Sequence, residues 1–181
     1  MSAIRAVNKS NIILASNTEG LGWIRCEGKG SFMNSPRLKN WADKQLADGL
    51  AHLVVDLEEC TGMDSTFMGT IAGIAMRLAK TDGGLLEIAS ANDKNSRSLD
   101  DLGLSALMLI NPPSPSWEGD EESIRSGLTE VGAPGSTDNT QHVFDAHQTL
   151  VDADDSNTEK FSTVLDCLEA ELKARNSNSS E

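Results

Sequence analysis

Three residues that could carry chemistry, Asp64, Ser65 and Thr66, lie where an extended apolar run ends and a helical run begins. The preceding run, LVVDLEEC, is typical of a buried strand, and the following run, TIAGIAMRLAK, is typical of a helix. A serine at this junction can cap the helix by accepting a hydrogen bond from a backbone N–H group. It can also carry a phosphate, because free N–H groups and the helix dipole stabilise an anion there. Both roles are open for Ser65.

A nucleophilic serine is the enzymatic alternative for Ser65. It would require a base and an oxyanion site, and only His52, His142 and His147 could supply the base. His52 begins the predicted central strand at the end opposite Ser65, and the other two histidines are predicted on helix faces in the acidic tail. The surrounding MDSTF is not a G-x-S-x-G elbow. The sequence therefore disfavours a hydrolase and predicts no catalytic residue.

Metal and cofactor sites are not indicated by the sequence. The acidic stretch VDADDSNTEKF lacks the glycine and the glutamate of an EF-hand loop, and GKG at 28–30 is too short for a P-loop. The three cysteines are widely spaced and form no C-x-x-C pair, which predicts reduced structural thiols. We therefore expect neither a metal nor another cofactor.

The elements that must position these residues follow from the spacing of the apolar side chains. Strands are predicted over 11–16, 21–27, 52–57, 85–89 and 106–110, and helices over 35–48, 68–79 and 96–102. The helix at 35–48 opens with serine and then proline, residues suited to the N-cap and the first helical position. Strands alternating with helices predict a largely parallel α/β sheet.

The C-terminal part differs in composition. Four of the five prolines lie in 112–134 among glycine, serine and acids, which predicts a mobile linker. Two amphipathic helical patterns follow, and the second begins with a capping box, SNTE. The predicted division is 1–111 for the domain, 112–140 for the linker and 141–181 for a helical extension. The helix pair either docks on its own domain or binds a partner, including a second copy in a homodimer.

Charge and hydropathy exclude several classes of partner. The formal net charge is -13, and most of it comes from the residues after 111. Without a basic stripe, the chain is not expected to bind nucleic acid. No segment approaches the ~18 apolar residues of a membrane span, and the N-terminus lacks the apolar core of a signal peptide. We expect a cytoplasmic protein without membrane insertion.

Taken in order, Met63-Asp64-Ser65-Thr66 and the later LDDLGL at 99–104 resemble the STAS domain of bacterial anti-sigma factor antagonists. The resemblance covers roughly residues 8–111. It implies a STAS-like, mixed, largely parallel β-sheet flanked by helices, here with an acidic helical C-terminal extension. It also implies a non-enzymatic protein of bacterial signal transduction and transcription regulation.

The resemblance further implies a phosphorylation site and partners. Ser65 takes the position of the phosphorylated hydroxyl, with Thr66 as the alternative. The implied partner is an anti-sigma factor with serine kinase activity, which binds the unphosphorylated form and is released on phosphorylation, and a phosphatase resets the switch. The alternative is a STAS-type adaptor, or a module binding a nucleotide or a lipid, that works without phosphorylation.

Two positions depart from the family pattern. Phe67 stands where the family usually has glycine, and it could either shield Ser65 or anchor a partner together with Ile74. Ser31 stands where the family has an acidic residue that assists binding at the phosphorylation site. The predicted partner-binding residues are Asp64, Ser65, Thr66, Phe67, Ile74 and Ser31.

Overall fold

The computed structural model describes residues 11–179, and its centre is a seven-stranded mixed sheet. The strands are β1 (Ile12–Thr18), β2 (Leu21–Gly30), β3 (His52–Asp56), β4 (Cys60–Met63), β5 (Leu85–Ala89), β6 (Leu109–Ile110) and β7 (Thr129–Glu130). Their order is β6-β5-β3-β2-β1-β7, and β4 pairs with the far end of β2. All pairs are parallel except those of β1 with β2 and with β7. Residues 1–10 of the predicted domain and residues 180–181 of the predicted helical extension lie outside the described residues.

Helices flank this sheet and form the C-terminal extension. They are α1 (Ser35–Ala47), α2 (Ser65–Leu78), α3 (Asp93–Asp100), α4 (Glu121–Ser126), α5 (Asn139–Ala153) and α6 (Asn157–Asn178). The predicted fold class, a largely parallel sheet flanked by helices with a helical extension, is confirmed. The division of the chain at 111 and 140 stays a prediction. Within residues 11–179, no helix combines the length and apolarity that a membrane crossing needs.

One face of the sheet is covered by α1 and α2, and the main core lies between this face and the two helices. Alternate residues of β3, Leu53 and Val55, point to this side and are fully buried, as is Ile24 of the neighbouring β2. Ile71 of α2 belongs to the same buried cluster. β3 is buried on its other face as well, as expected for a central parallel strand.

The opposite face of the sheet is covered by the segment that follows β6. Trp117 packs edge-on against Trp23 with ring centroids 5.1 Å apart, and its indole N–H donates to Glu87 at 3.1 Å. Arg125 of α4 donates to the fully buried carboxylate of Asp56 at 2.8 Å. The indole and the guanidinium therefore attach this part of the segment to the sheet, and the assignment of 112–140 as a mobile linker stays a prediction.

Several elements differ from those predicted; α3, for example, spans Asp93–Asp100 rather than 96–102. The short strand β4 was not predicted, because its four residues, CTGM, carry only a weak apolar pattern. The strand predicted over 106–110 is instead a 3-10 turn over Leu104–Ala106 followed by the two-residue strand β6. The left-handed backbone of Gly103, with φ of +71°, turns the chain between α3 and this 3-10 turn.

The predicted capping box at the start of α6 does not form. Ser156 has a helical backbone conformation and its side chain makes no capping hydrogen bond. Instead, the side chain of Asp154 accepts a hydrogen bond from the N–H of Ser156 at 2.9 Å. Asp154 therefore satisfies the N–H group that the Glu159 side chain would bond in a capping box.

Candidate functional site

Asp64 caps the helix that begins at Ser65. Its backbone is extended, with φ of -88° and ψ of 170°, and its Oδ1 accepts a hydrogen bond from the N–H of Phe67 at 2.8 Å. Of the two roles left open for Ser65, capping is therefore not the one observed, because the chain enters the helical conformation one residue earlier than a serine cap would require. Ser65 is the first residue of α2, and its hydroxyl is left for another partner.

The second oxygen of Asp64 ties this junction to the loop between β2 and α1. Oδ2 accepts a hydrogen bond from the N–H of Phe32 at 2.8 Å. The loop is held further by Asn34, whose side chain accepts from the N–H of Ser31 and donates to the carbonyl of Lys29. Ser31, predicted as part of the site, is therefore placed beside the Asp64 junction, although its own side chain is largely buried.

Ser65 hydrogen-bonds to a histidine from the C-terminal extension. Its Oγ lies 2.8 Å from Nε2 of His147 on α5. Nδ1 of His147 lies 2.7 Å from the carbonyl oxygen of Val143, and a carbonyl can only accept. In the neutral imidazole the proton therefore sits on Nδ1, and Nε2 accepts the hydroxyl proton of Ser65. The imidazole is 5% exposed and packs edge-on against Phe161 of α6.

Phe67 and Ile74 do not form an exposed contact patch. Phe67 is fully buried, and its ring lies so close to Gly30 that a Cβ there would come within 2.7 Å of it. Ile74, on α2, is 2% exposed and lies between α2, α1 and α5. Phe67 is buried because the first turn of α2 faces β2, where the missing side chain at Gly30 makes room for the phenyl ring. The assignment of Phe67 and Ile74 as partner-binding residues stays a prediction.

Thr66, the alternative phosphate acceptor, is 4% exposed. Its carbonyl oxygen accepts a hydrogen bond from the hydroxyl of Thr70 at 2.8 Å within α2. Ser65, in contrast, is only partly buried and directs its hydroxyl toward α5. Of the two hydroxyls, that of Ser65 is the more accessible.

Two exposed apolar residues beside the junction were not predicted. Met33 is 74% exposed and Phe32 is 43% exposed, in the loop that the Asp64 carboxylate holds. The signal was present in the sequence as an apolar pair inside a polar, glycine-rich stretch, GKGSFMNSP. Adjacent large apolar side chains that remain exposed can form a protein contact surface.

A cavity of about 300 Å³ lies between α1, α2 and α5. Its wall includes Gly69 and Gly73 of α2, and Lys39, Arg77 and Asp145 contribute charged groups. Ser65 and His147 are not among the residues that line it. The cavity is therefore separate from the serine, although both depend on the position of α5.

His142 is the second histidine that α5 brings against the domain. Its Nε2 lies 2.8 Å from the hydroxyl of Ser35 at the start of α1. Burial, with a smaller contribution from nearby Lys39, lowers the pKa of His142 below its ordinary value. The ring is therefore held neutral more strongly than a histidine in water.

Comparison with known proteins agrees with this architecture. The family model for the STAS domain matches residues 13–116, so the chain belongs to the STAS domain family. A search among curated proteins found no match. The matched region contains β1 to β6 and α1 to α3, together with the Ser65 junction, whereas α5 and α6 lie outside it.

Two of the solved structures that share the fold illustrate the likeness. One is a candidate anti-sigma factor antagonist from Thermotoga maritima, 20% identical, with a TM-score of 0.51 over 61% of this chain and 92% of that chain. The other is an anti-sigma factor antagonist from Mycobacterium paratuberculosis, 18% identical, with a TM-score of 0.50 over 69% of this chain and 99% of that chain. At these identities the likeness establishes the fold.

Metal binding finds no support in this part of the chain. Among residues 11–179, no group of three or more histidine, cysteine, aspartate or glutamate side chains could hold a metal ion. The buried Cys26 and Cys60 and the exposed Cys167 are all free thiols.

Proposed function

We propose that this STAS protein is a phosphorylation-controlled switch that binds a protein partner in the manner of an anti-sigma factor antagonist. The unphosphorylated form binds an anti-sigma factor with serine kinase activity, and phosphorylation of Ser65 releases it. A phosphatase restores the binding form. On this proposal the protein acts in the cytoplasm without catalysing a reaction itself.

The observation that carries the proposal is the position of Ser65. Its hydroxyl stands at the first residue of α2, next to Asp64, which holds the Phe32 loop against the same junction. A phosphate at this point would meet the free N–H groups of the first helical turn, a favourable interaction of about 0.3–1 kcal/mol at an exposed site. The domain can therefore accept the modification without unfolding.

The phosphate would act on the surface rather than on the fold. It adds a charge of roughly -1.5 to -2 beside Asp64, which repels an acidic partner surface and is costly to desolvate against an apolar one. Phe32 and Met33 supply the apolar contact that a partner would bury next to this charge. Binding before phosphorylation and release after it follow from this juxtaposition.

A second candidate function is supported by the cavity between α1, α2 and α5. A STAS-type regulatory module could hold a small molecule there, because its wall is mainly apolar and Lys39 and Arg77 are available for an anionic group. Both cations are already paired with Asp43, which weakens this alternative. It requires no modification of Ser65.

The pairing of Ser65 with His147 also bears on the enzymatic alternative. A serine hydroxyl that donates to a neutral imidazole resembles a nucleophile with its base. The imidazole is, however, 5% exposed beneath α5 and α6, and the neighbouring cavity is not lined by either residue. The contact is better explained as a bond that holds α5 in place.

The proposal is tested by intact-mass and tandem mass spectrometry on the protein taken from its native cells under varied growth conditions. A phosphate on Ser65 supports the switch. Phosphate on Thr66 would retain the switch and move its site. Consistent absence of phosphate from both residues would contradict it and favour the adaptor or the small-molecule module.

A further inference from the structure

We propose that the hairpin of α5 and α6 is an internal cover, which must leave α2 before a kinase or a partner can reach Ser65. The inference rests on the proposed function only where it names a kinase and a partner as the molecules that the hairpin keeps from Ser65. The closing of α5 over Ser65 itself follows from the contacts described next. These contacts join residues of the STAS region to residues beyond the family match, which ends at 116.

The first contact is a close approach of two helix backbones. A Cβ atom at Gly69 would lie 2.3 Å from the carbonyl oxygen of Ala146, so α5 can reach this position only because residue 69 is glycine. One turn further along α2, a Cβ at Gly73 would meet Thr149 at an ordinary 3.7 Å. The two glycines therefore lie on the face of α2 that α5 covers, and only Gly69 is indispensable to the packing.

The second contact is the hydrogen bond between Ser65 and His147. A kinase must place the serine hydroxyl within its own active site, with free space around Oγ. Here the hydroxyl is engaged by a buried imidazole, and Phe161 of α6 backs that imidazole. Transfer of a phosphate to Ser65 therefore requires α5 to move away.

Further contacts fix both ends of α5. Near its start, His142 bonds to Ser35 of α1. At its far end, the buried side chain of Asn157 donates to the carbonyl oxygens of Leu102 and Leu150, which joins the hairpin turn to the loop after α3. The hairpin is thus attached along the whole length of α5.

The cover is nevertheless built so that it can open. The buried residues of α5 are few, and two of the four are histidines: His142, Ala146, His147 and Leu150. Residues 131–138, which connect α5 to β7, form neither helix nor strand and are mostly exposed. A partly polar interface on an exposed tether opens at a lower free energy than the apolar core of the sheet.

The test compares Gly69→Ala with Gly73→Ala in the full-length protein. Alanine raises helix propensity at both positions, so neither change should weaken α2 itself. Only Gly69→Ala forces a Cβ into the α5 backbone. Opening is measured as amide hydrogen exchange of α5, with β3 and β5 as internal references for the fold.

Access to Ser65 is measured in parallel as the alkylation rate of a Ser65→Cys variant with iodoacetamide. Cys167→Ser removes the exposed thiol, and Cys26 and Cys60 are buried in the folded protein. We expect Gly69→Ala to raise both α5 exchange and alkylation by about tenfold or more, in line with the cost of overpacking. Gly73→Ala should match the parent.

Equal rates in the parent and in Gly69→Ala would overturn the proposal. So would faster exchange of α5 with unchanged alkylation, because α5 would then not shield residue 65. If Gly69→Ala also exposes β3 and β5, His147→Ala carries the same test from the α5 side and must raise both rates. No kinase is used, so this outcome is independent of whether Ser65 is phosphorylated in cells.

Discussion

The hydroxyl of Ser65 lies 2.8 Å from Nε2 of His147, although 82 positions separate the two residues in the chain. One belongs to the region that the STAS family model matches, and the other belongs to the extension outside it. The single hydrogen bond therefore connects the proposed phosphorylation site to the extension. A substitution at Ser65 should therefore change the packing of α5, and a substitution at His147 should change the access to Ser65.

The first prediction concerns the charge at position 65. Ser65→Asp should weaken binding of the partner captured from native cells, because it places a second carboxylate beside Asp64. Ser65→Ala should retain binding, because it removes the hydroxyl without adding charge. Both variants should unfold cooperatively. In Ser65→Asp the new carboxylate lies at the positive end of the α2 dipole, where it is stabilised. Affinity is measured by titration calorimetry, and loss of a cooperative thermal transition in Ser65→Asp would contradict a switch that acts at the surface.

The second prediction concerns the exposed loop beside Asp64. Phe32→Ser and Met33→Ser should each raise the Kd for the partner by about tenfold, as expected for apolar anchors. Met33→Ser should change the free energy of unfolding by less than about 0.5 kcal/mol, because Met33 is 74% exposed, whereas Phe32→Ser should lower it by about 1 kcal/mol, because Phe32 is only 43% exposed. Leu109→Ser is the matched control, since Leu109 is 50% exposed on β6. An equal loss of affinity in Leu109→Ser would contradict the assignment of Phe32 and Met33 as partner contacts.

The third prediction concerns the segment that covers the second face of the sheet. Trp117→Ala should lower the free energy of unfolding by about 3 kcal/mol, because it removes a buried indole and a hydrogen bond to Glu87. Glu118→Ala, at the exposed neighbouring position, should change it by less than about 0.5 kcal/mol. Urea denaturation measures both values. A Trp117→Ala variant as stable as the parent would show that this segment is not part of the folded unit.

The fourth prediction concerns acidification and α5. Burial lowers the pKa of His142, so a released α5 binds a proton more readily than a docked one. Docking is therefore fully stabilised above the ordinary histidine pKa of about 6.5 and weakens as pH falls through the lowered value. Lys39 acts in the same direction as burial, whereas Asp145 and Asp64 oppose it.

The measurement is amide exchange of α5 at about pH 7.5 and about pH 5.5, corrected for intrinsic exchange. The parent should lose more protection at the lower pH than His142→Gln, whose amide can still bond to Ser35 but does not titrate. If the two proteins lose the same protection, His142 does not link docking to pH.

Local pattern was sufficient to locate the junction but not the role of every residue in it. The apolar run before Asp64 and the helical spacing after it placed Ser65 at the start of α2 correctly, because period and capping are properties of neighbouring residues. The choice of Asp64 over Ser65 as the cap depends on the exact residue at which the backbone turns helical. One residue of uncertainty at a helix start is enough to exchange the two roles.

The environment of Phe67 illustrates a different limit. An aromatic residue in the first turn of a helix can be exposed or buried, and its own neighbours do not distinguish these cases. The ring of Phe67 is buried because Gly30 on β2 has no side chain and leaves room for it. Such complementarity joins residues that are far apart in the chain and cannot be detected from either one alone.

The sequence by itself determined the largely parallel α/β sheet, the junction where the helix α2 begins and the presence of two C-terminal helices, because each depends on short-range periodicity. Only the tertiary structure decided that one of those helices lies on Ser65. That contact requires a glycine at 69, a histidine at 147 and the tight turn at Asn157 to meet in space. Packing between distant segments depends on shape at the point of contact, which no local pattern records.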